Sequence, residues 1–244
     1  MTLTLLPAVD IKGGQAVRLL QGVADKETVY GVPVEAAAGF QRDGAQWLHV
    51  VDLDAAFGSG SNLDQVREIV STVSMQVEVS GGIRSTQALD AALNAGAARV
   101  SIGTAALENP EWMEQMLDSY ANQIAIDLAA VEENGEWGVR GHGWVSDGGD
   151  LWEVLERFDA AGARRFVVTD VSRDGALTGP NIELLREVAE ATEAKITASG
   201  GVSSLTDLTA LAAYEEEGID AVIVGKALYA GQFTLPEALA AVAG

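Results

Sequence analysis

Cysteine is absent from the chain, which removes disulfides and thiol chemistry and makes a cytoplasmic enzyme the simplest fit. Histidine occurs only as His49 and His142, so a histidine-built metal site is not expected. No apolar run approaches the roughly 20 residues of a membrane helix. The start, Met1-Thr2-Leu3-Thr4-Leu5-Leu6-Pro7, lacks the basic stretch of a signal peptide and reads as a strand. Basic residues are scarce: 15 Lys and Arg against 36 Asp and Glu leave a net charge of −21. That balance argues against nucleic acid or a membrane as partner, because binding either depends on basic surface. An anionic substrate must be captured locally, against the global field, and the acidity itself serves solubility or a salt-rich habitat.

What the chain does have is 244 residues with 48% hydrophobic and 21% charged composition, enough for one large domain spanning 1–244. Strands and helices alternate from end to end. Strands are expected at Leu3 to Ile11, Trp47 to Leu53, Met75 to Val79, Ala98 to Ile102, Gln123 to Leu128, Arg165 to Val171, Lys195 to Ala198 and Ala221 to Val224. Helices follow each, with start signals at Pro33, Ser85, Asn109-Pro110, Asp150, Asn181, Ser204 and the Thr234-Leu235-Pro236-Glu237 capping-box spacing. Two stretches, 12–31 and roughly 130–147, read as long loops, the first with a small alternating piece at 16–19; loops of that length are usually functional lids or else disordered. Eight strand–helix units without a linker match an α/β chain folded as a (β/α)8 TIM barrel, typically about 250 residues, better than an open doubly wound sheet.

A duplicated Ser-Gly-Gly organises this pattern. Ser80-Gly81-Gly82 closes one strand and Ser199-Gly200-Gly201 another, 119 residues apart (200 − 81). Each is followed by a helix and a strand ending in glycine, at Gly103-Thr104 and Gly225-Lys226. Asn62 and Asn181 keep the same spacing, and the pairs Asp10/Asp127 and Asp52/Asp170 come within two residues of it. Such a repeat fits two fused half-barrels. Adjacent glycines let backbone N–H groups approach a ligand, and a helix start favours anions, so each half is expected to hold one phosphate.

Barrel enzymes place their chemistry at strand C-termini. The carboxylates there are Asp10, Asp52 with Asp54, Asp127, and Asp170 with Asp174. Facing carboxylates suit metal-free acid–base work, with some of them serving only to hold loops; clustered Asp binding a divalent metal is the competing use. Arg18 in the first long loop has the reach to grip a phosphate, and Trp144, flanked by glycine, to stack on a ring.

These stretches resemble a known family. Leu6-Pro7-Ala8-Val9-Asp10-Ile11, Val51-Asp52-Leu53-Asp54-Ala55-Ala56-Phe57, Ser80-Gly81-Gly82-Ile83-Arg84 and Ser199-Gly200-Gly201-Val202 are similar to the phosphoribosylformimino-aminoimidazole-carboxamide isomerases of histidine biosynthesis. The stretches from Gly143-Trp144 to Trp152 and Phe233 to Leu239 are closer to the actinobacterial form, phosphoribosyl isomerase A. The resemblance covers essentially the whole chain. It implies a cofactor-free Amadori rearrangement of an aminoaldose to an aminoketose, with Asp10 as base, Asp174 as acid and Thr169 as helper. It implies that Arg18, Ser80, Gly81, Gly82, Gly103, Thr104, His142, Trp144, Gly179, Ser199, Gly200, Gly201, Gly225 and Lys226 bind small mono- or bisphosphorylated ribosyl substrates in a monomer.

The same resemblance brings a second activity, phosphoribosylanthranilate isomerisation in tryptophan biosynthesis, into view. Many relatives carry aspartate where this chain has Ala129, with Asp127 two residues back on the same strand face as its replacement or as a bystander. Dual-specificity members often have arginine at the place of His142, whereas histidine-only members tend to have threonine at the place of Ser80. The expectation is weak turnover of the anthranilate substrate. The other readings are a cyclase of the same barrel type working with a glutaminase, and a phosphosugar-binding barrel without catalysis.

Overall fold

The computed structural model describes residues 2–20, 23–144 and 146–243, with residues 18–27 described by backbone alone where they fall in that range. Eight parallel strands close into a ring: β1 (Thr4–Lys12), β2 (Trp47–Asp52), β3 (Gln76–Ser80), β4 (Arg99–Ile102), β5 (Ile124–Glu133), β6 (Arg165–Asp170), β7 (Lys195–Ser199) and β8 (Ile219–Val224). Each pairs with the next, β8 returns to β1 through Thr4↔Ala221, and β5 joins β6 through Phe166↔Ile126. The result is a (β/α)8 TIM barrel, as the alternation of elements requires.

Eight helices wrap the ring: α1 (Pro33–Arg42), α2 (Leu63–Thr72), α3 (Thr86–Asn94), α4 (Pro110–Tyr120), α5 (Leu151–Ala160), α6 (Ile182–Glu190), α7 (Leu205–Ala212) and α8 (Leu235–Val242). Their starts are chemically marked. Ser85, Asn109, Asp150, Asn181, Ser204 and Thr234 each accept an N–H from the first turn, and Ser204 and Thr234 complete capping boxes with Asp207 and Glu237. The apolar core fills the space between helices and strands. Inside the ring, among the described residues, Leu6, Ala8, Ala125, Val167, Ala221 and Ile223 form a buried apolar cluster against Trp47.

The two long loops of the sequence reading are in fact β-hairpin arms. Gln15–Leu20 folds back on β1 with Asp10 opposite Val17, and Val23–Gly31 pairs with it in turn. β5 runs on past Leu128 to Glu133 and returns as Glu136–Gly141, followed by Ser146–Asp150. The arms turn at Gly13-Gly14 and Asn134-Gly135, where all four residues have positive φ. That is the geometry a two-residue hairpin turn requires, and it overrides the loop-like composition. Short helices at Leu53–Phe57 and Thr104–Glu108 were likewise not foreseen.

The half-barrel repeat is visible in local geometry. Gly103 and Gly225, each preceding a short helix, have φ/ψ of −106°/−85° and −106°/−95°. Ser85 and Ser204 cap α3 and α7 at −159°/161° and −148°/163°. The first glycines of the two Gly-Gly turns match in hand but not in crowding. A Cβ on Gly81 (φ +95°) would lie 2.2 Å from the Asp52 carbonyl oxygen, whereas one on Gly200 (φ +86°) would meet nothing nearer than 3.3 Å. Gly81→Ala is therefore expected to cost about 3 kcal/mol or more in urea unfolding, and Gly200→Ala about 1 kcal/mol from its positive φ alone; equal losses would contradict this geometry.

Candidate active site

The C-terminal ends of the strands surround a cavity of about 240 Å³. Asp10 from β1, Asp127 from β5, Thr169 from β6 and Asp174, four residues beyond the end of β6, all line it. Ser80, Gly81, Gly82, Gly103 and Thr104 form one wall, and Trp144 reaches in from the second arm. A smaller depression of about 30 Å³ adjoins it, lined by Gly200, Gly201, Gly225 and Lys226; Asp174, Ser199 and Ile223 belong to both. The two glycine motifs thus line two adjoining spaces that share Asp174, Ser199 and Ile223.

Two of the expected residues stand elsewhere, and a third is not described at its side chain. Gly179 lines neither space: its N–H donates to the Gly201 carbonyl (2.9 Å), and it packs behind that glycine. His142 turns outward. Its N–H donates to Thr104 Oγ1 (2.9 Å) and its Nε2 meets the Glu108 carboxylate, while the backbone holds φ +47° there. The side chain of Arg18 lies outside the described residues.

Asp52 and Asp170 hold loops. Asp52 accepts from the N–H of Asn62 (2.6 Å), from Asn62 Nδ2 (2.7 Å) and from the N–H of Ala55 (3.0 Å). Asp170 accepts from the Ser172 hydroxyl (2.6 Å), the Ser172 N–H (2.9 Å) and Asn181 Nδ2 (2.8 Å). Asp54 accepts from the N–H of Gly13 (2.6 Å) and from Asn62 Nδ2 (2.8 Å). The Gly13 bond leads the causes that hold the Asp54 carboxyl below its ordinary range. In each half an Asp–Asn pair closes the loop that follows its own strand, and Asp54 in addition ties that loop to the first arm at Gly13.

Asp174 is placed by backbone. Its N–H donates to the Asp170 carbonyl (3.1 Å), its Cα lies against Gly200, and Lys226 Nζ donates to the carbonyl of the next residue, Gly175. Asp127 sits lower, part of its surface open to the cavity. Burial pushes its carboxyl up to about 6; the Glu78 and Asp174 charges add to the rise and His49 opposes it.

Four residues at the cavity went unremarked as site candidates in the sequence: His49, Arg84, Ser101 and Arg140. Arg84 donates to the carbonyls of Ala55 (3.2 Å) and Ala56 (2.7 Å), fixing the rim helix Leu53–Phe57. Arg140, paired in register with Ala129, bonds Glu133 (2.6 Å) and Asp147 (3.0 Å). The available signal was alternation. His49 and Ser101 are polar residues at every-second positions of otherwise apolar strands, which marks the face turned into the ring.

Fold and site together define a (β/α)8-barrel enzyme with facing carboxylates at its mouth. Residues 4–234 match the family described as histidine biosynthesis protein. A protein of Corynebacterium jeikeium is 61% identical over 99% of this chain and 94% of its own length. One of Corynebacterium glutamicum is 61% identical over 99% and 98%, and one of Rhodococcus jostii 56% identical over the full length of both. All three are named 1-(5-phosphoribosyl)-5-((5-phosphoribosylamino)methylideneamino)imidazole-4-carboxamide isomerase. The chain belongs to the histidine biosynthesis protein family, in agreement with the resemblance carried by its motifs.

The raised Asp127 carboxyl has a consequence for stability. An acid whose folded value lies above its unfolded one binds more protons when folded, so stability falls as pH rises from about 4 through about 6. A two-unit difference corresponds to about 3 kcal/mol. Asp127→Asn, which mimics the protonated form, should raise stability by about 1–3 kcal/mol at pH 8 and change it little at pH 4, as read by urea unfolding at both values. A loss of stability at pH 8 would contradict the assignment.

Proposed function

We propose that this protein is the isomerase of histidine biosynthesis that converts the phosphoribosylformimino aminoaldose to its aminoketose by an Amadori rearrangement, using acid–base catalysis without a cofactor. The observation that carries the reading is the placement of Asp10 and Asp174 on one cavity that adjoins a second, glycine-lined depression. A substrate with a phosphate at each end spans such a hollow with its reacting ribose between the two carboxylates. Backbone N–H groups around Gly81-Gly82 and Gly200-Gly201 would hold the phosphates, which explains how a chain of net charge −21 takes up an anion.

In this mechanism Asp174 delivers a proton to the ribose ring oxygen. The ring C–O bond breaks and its electrons leave with that oxygen, giving an open-chain iminium. Asp10 then removes the proton from carbon 2; the C–H electron pair becomes the carbon 1–carbon 2 double bond and the iminium electrons return to nitrogen. Loss of the enol proton and protonation of carbon 1 complete the ketone. The acid must begin protonated and the base ionised, so the two carboxyls need unlike surroundings. Asp10 lies on a barrel strand and Asp174 on the loop after β6, so the two carboxyls stand on different elements of the mouth. Trp144 from the second arm would cover the substrate, and Thr169 would support the acid from below.

The cyclase alternative loses ground because the relatives reported above are named isomerases. No helix among the described residues is long and apolar enough to cross a membrane, and the setting proposed is a cytoplasmic monomer. For the anthranilate substrate, His142 faces Glu108 outside the cavity, and the guanidinium at that wall, Arg140, is already matched by two carboxylates. The second activity is accordingly proposed as residual.

Steady-state kinetics test both parts. Asp10→Asn and Asp174→Asn should each lower kcat by about 10²–10⁴-fold with the fold intact by circular dichroism; near wild-type rates in either would sink its role. The kcat/KM for phosphoribosylanthranilate should fall at least about 100-fold below that for the histidine-pathway substrate, which corresponds to about 3 kcal/mol of lost transition-state binding. Comparable values would overturn the residual assignment.

A further inference from the structure

The floor of the cavity carries polar groups for which the acid–base scheme has no use. Ser101 on β4 is 2% exposed, lines the cavity, and its Oγ has no hydrogen-bond partner among the described residues. In register it lies between Ser80 of β3 and Ala125 of β5, one step deeper in the ring than Gly103. A buried hydroxyl without a partner is destabilising, and native interiors keep few of them. Where one faces a cavity, the missing partner is a ligand or a water.

The surroundings narrow the choice. His49, also on the cavity wall, gives its Nδ1 to Glu78 Oε1 at 2.7 Å, and the other Glu78 oxygen accepts from Arg99 Nε. A carboxylate only accepts, so Nδ1 carries the hydrogen and Nε2 is the nitrogen left to the cavity side. Asp10, Asp127 and Asp174 line the same space. Three carboxylates around the floor repel a phosphate, and the glycine turns already offer N–H donors at the rim. A neutral group that both donates and accepts is what this floor can take.

We propose that Ser101 is a substrate-binding residue of the isomerase, its hydroxyl exchanging a hydrogen bond with a hydroxyl of the substrate's ribosyl moiety. The proposal rests on the functional reading given above and deepens it. The reacting ribose is the polyol that this reading puts between Asp10 and Asp174, directly over the floor. His49, locked by Glu78 and Arg99, sets the wall against which that hydroxyl lies.

The test is Ser101→Ala, which removes one atom from a buried position and leaves no clash. Because that atom has no protein partner, the melting temperature of the variant should equal or exceed that of the wild type. Its kcat/KM for the histidine-pathway substrate should fall at least tenfold. If wild-type enzyme turns the substrate over and Ser101→Ala stays within twofold of it, the hydroxyl meets only water and this inference fails while the functional reading stands. If the variant loses activity together with several degrees of melting temperature, the hydroxyl is structural and the inference fails again. If the wild type does not turn the substrate over, both readings fall.

Discussion

Glu78 is the constraint on which the barrel's interior depends. It is fully buried on the inner face of β3, clasped by His49 from β2 and Arg99 from β4. Burial alone would raise its carboxyl, but the hydrogen bonds and charges of His49 and Arg99 win and hold it at about 2. Arg99 also lies over the Trp47 ring at 4.4 Å. The opposite half has its own cluster: Arg165 of β6 donates to Thr197 of β7 (2.8 Å) and bidentately to Asp220 of β8 (2.5 and 2.8 Å). Each half-barrel is therefore stitched across three strands by one ion group. A barrel filled by apolar layers would be easier to desolvate, and removing one member of such a group typically costs about 3–5 kcal/mol. What the charges supply is register, since each hydrogen bond is met only when neighbouring strands stand at the correct height.

That interior sets the electrostatics of the mouth. Asp127 sits above Glu78 and feels its charge along with that of Asp174, while His49 partly offsets both. The carboxyl that titrates in an unusual range is thus raised by its own burial and by the scaffold beneath it. Acidity at the protein surface contributes nothing comparable, because a charge more than about 10 Å away is largely screened at 0.1 M salt. The global charge of −21 and the capture of an anion coexist for this reason.

Much of this was legible in the sequence, and what was not failed for identifiable reasons. The ring could be counted because apolar strands and capped helices alternate, and because Ser85, Asn109, Asp150, Asn181, Ser204 and Thr234 announce helix starts by their own chemistry. The arms were hidden by composition: polar and glycine-rich residues read as loop, although Asn134-Gly135 is a hairpin turn by its φ values of 57° and 85°. His142 was placed in the cavity by motif alone. Three consecutive positive φ values, at His142, Gly143 and Trp144, twist the chain so that Trp144 enters the cavity while His142 meets Glu108 outside it. Alternation would place His142 on the same face as Arg140, which lines the cavity, but the strand ends at Gly141 and the positive φ values break the pattern there. Ser101 and His49 were passed over because a polar residue in a buried strand carries no sign of whether protein or ligand satisfies it.

The duplicated glycines acquire a second meaning from the packing. Gly81 has no room for a Cβ because the Asp52 carbonyl occupies its place, and Asp52 is itself held by Asn62. In the other half Asn181 holds Asp170, and Gly200 lies 3.3 Å, by its absent Cβ, from the Cα of Asp174. The glycines therefore serve the protein's own loops before any phosphate arrives. The two halves share one frame, in which an Asp–Asn clamp fixes a loop and a glycine lets that loop lie close. They differ in what the glycine receives: a loop-holding carbonyl in the first half, the backbone of a candidate acid in the second. A symmetric scaffold thus yields an asymmetric mouth, and asymmetry is what acid–base chemistry on a single ribose demands, since one carboxyl must give a proton where the other takes one.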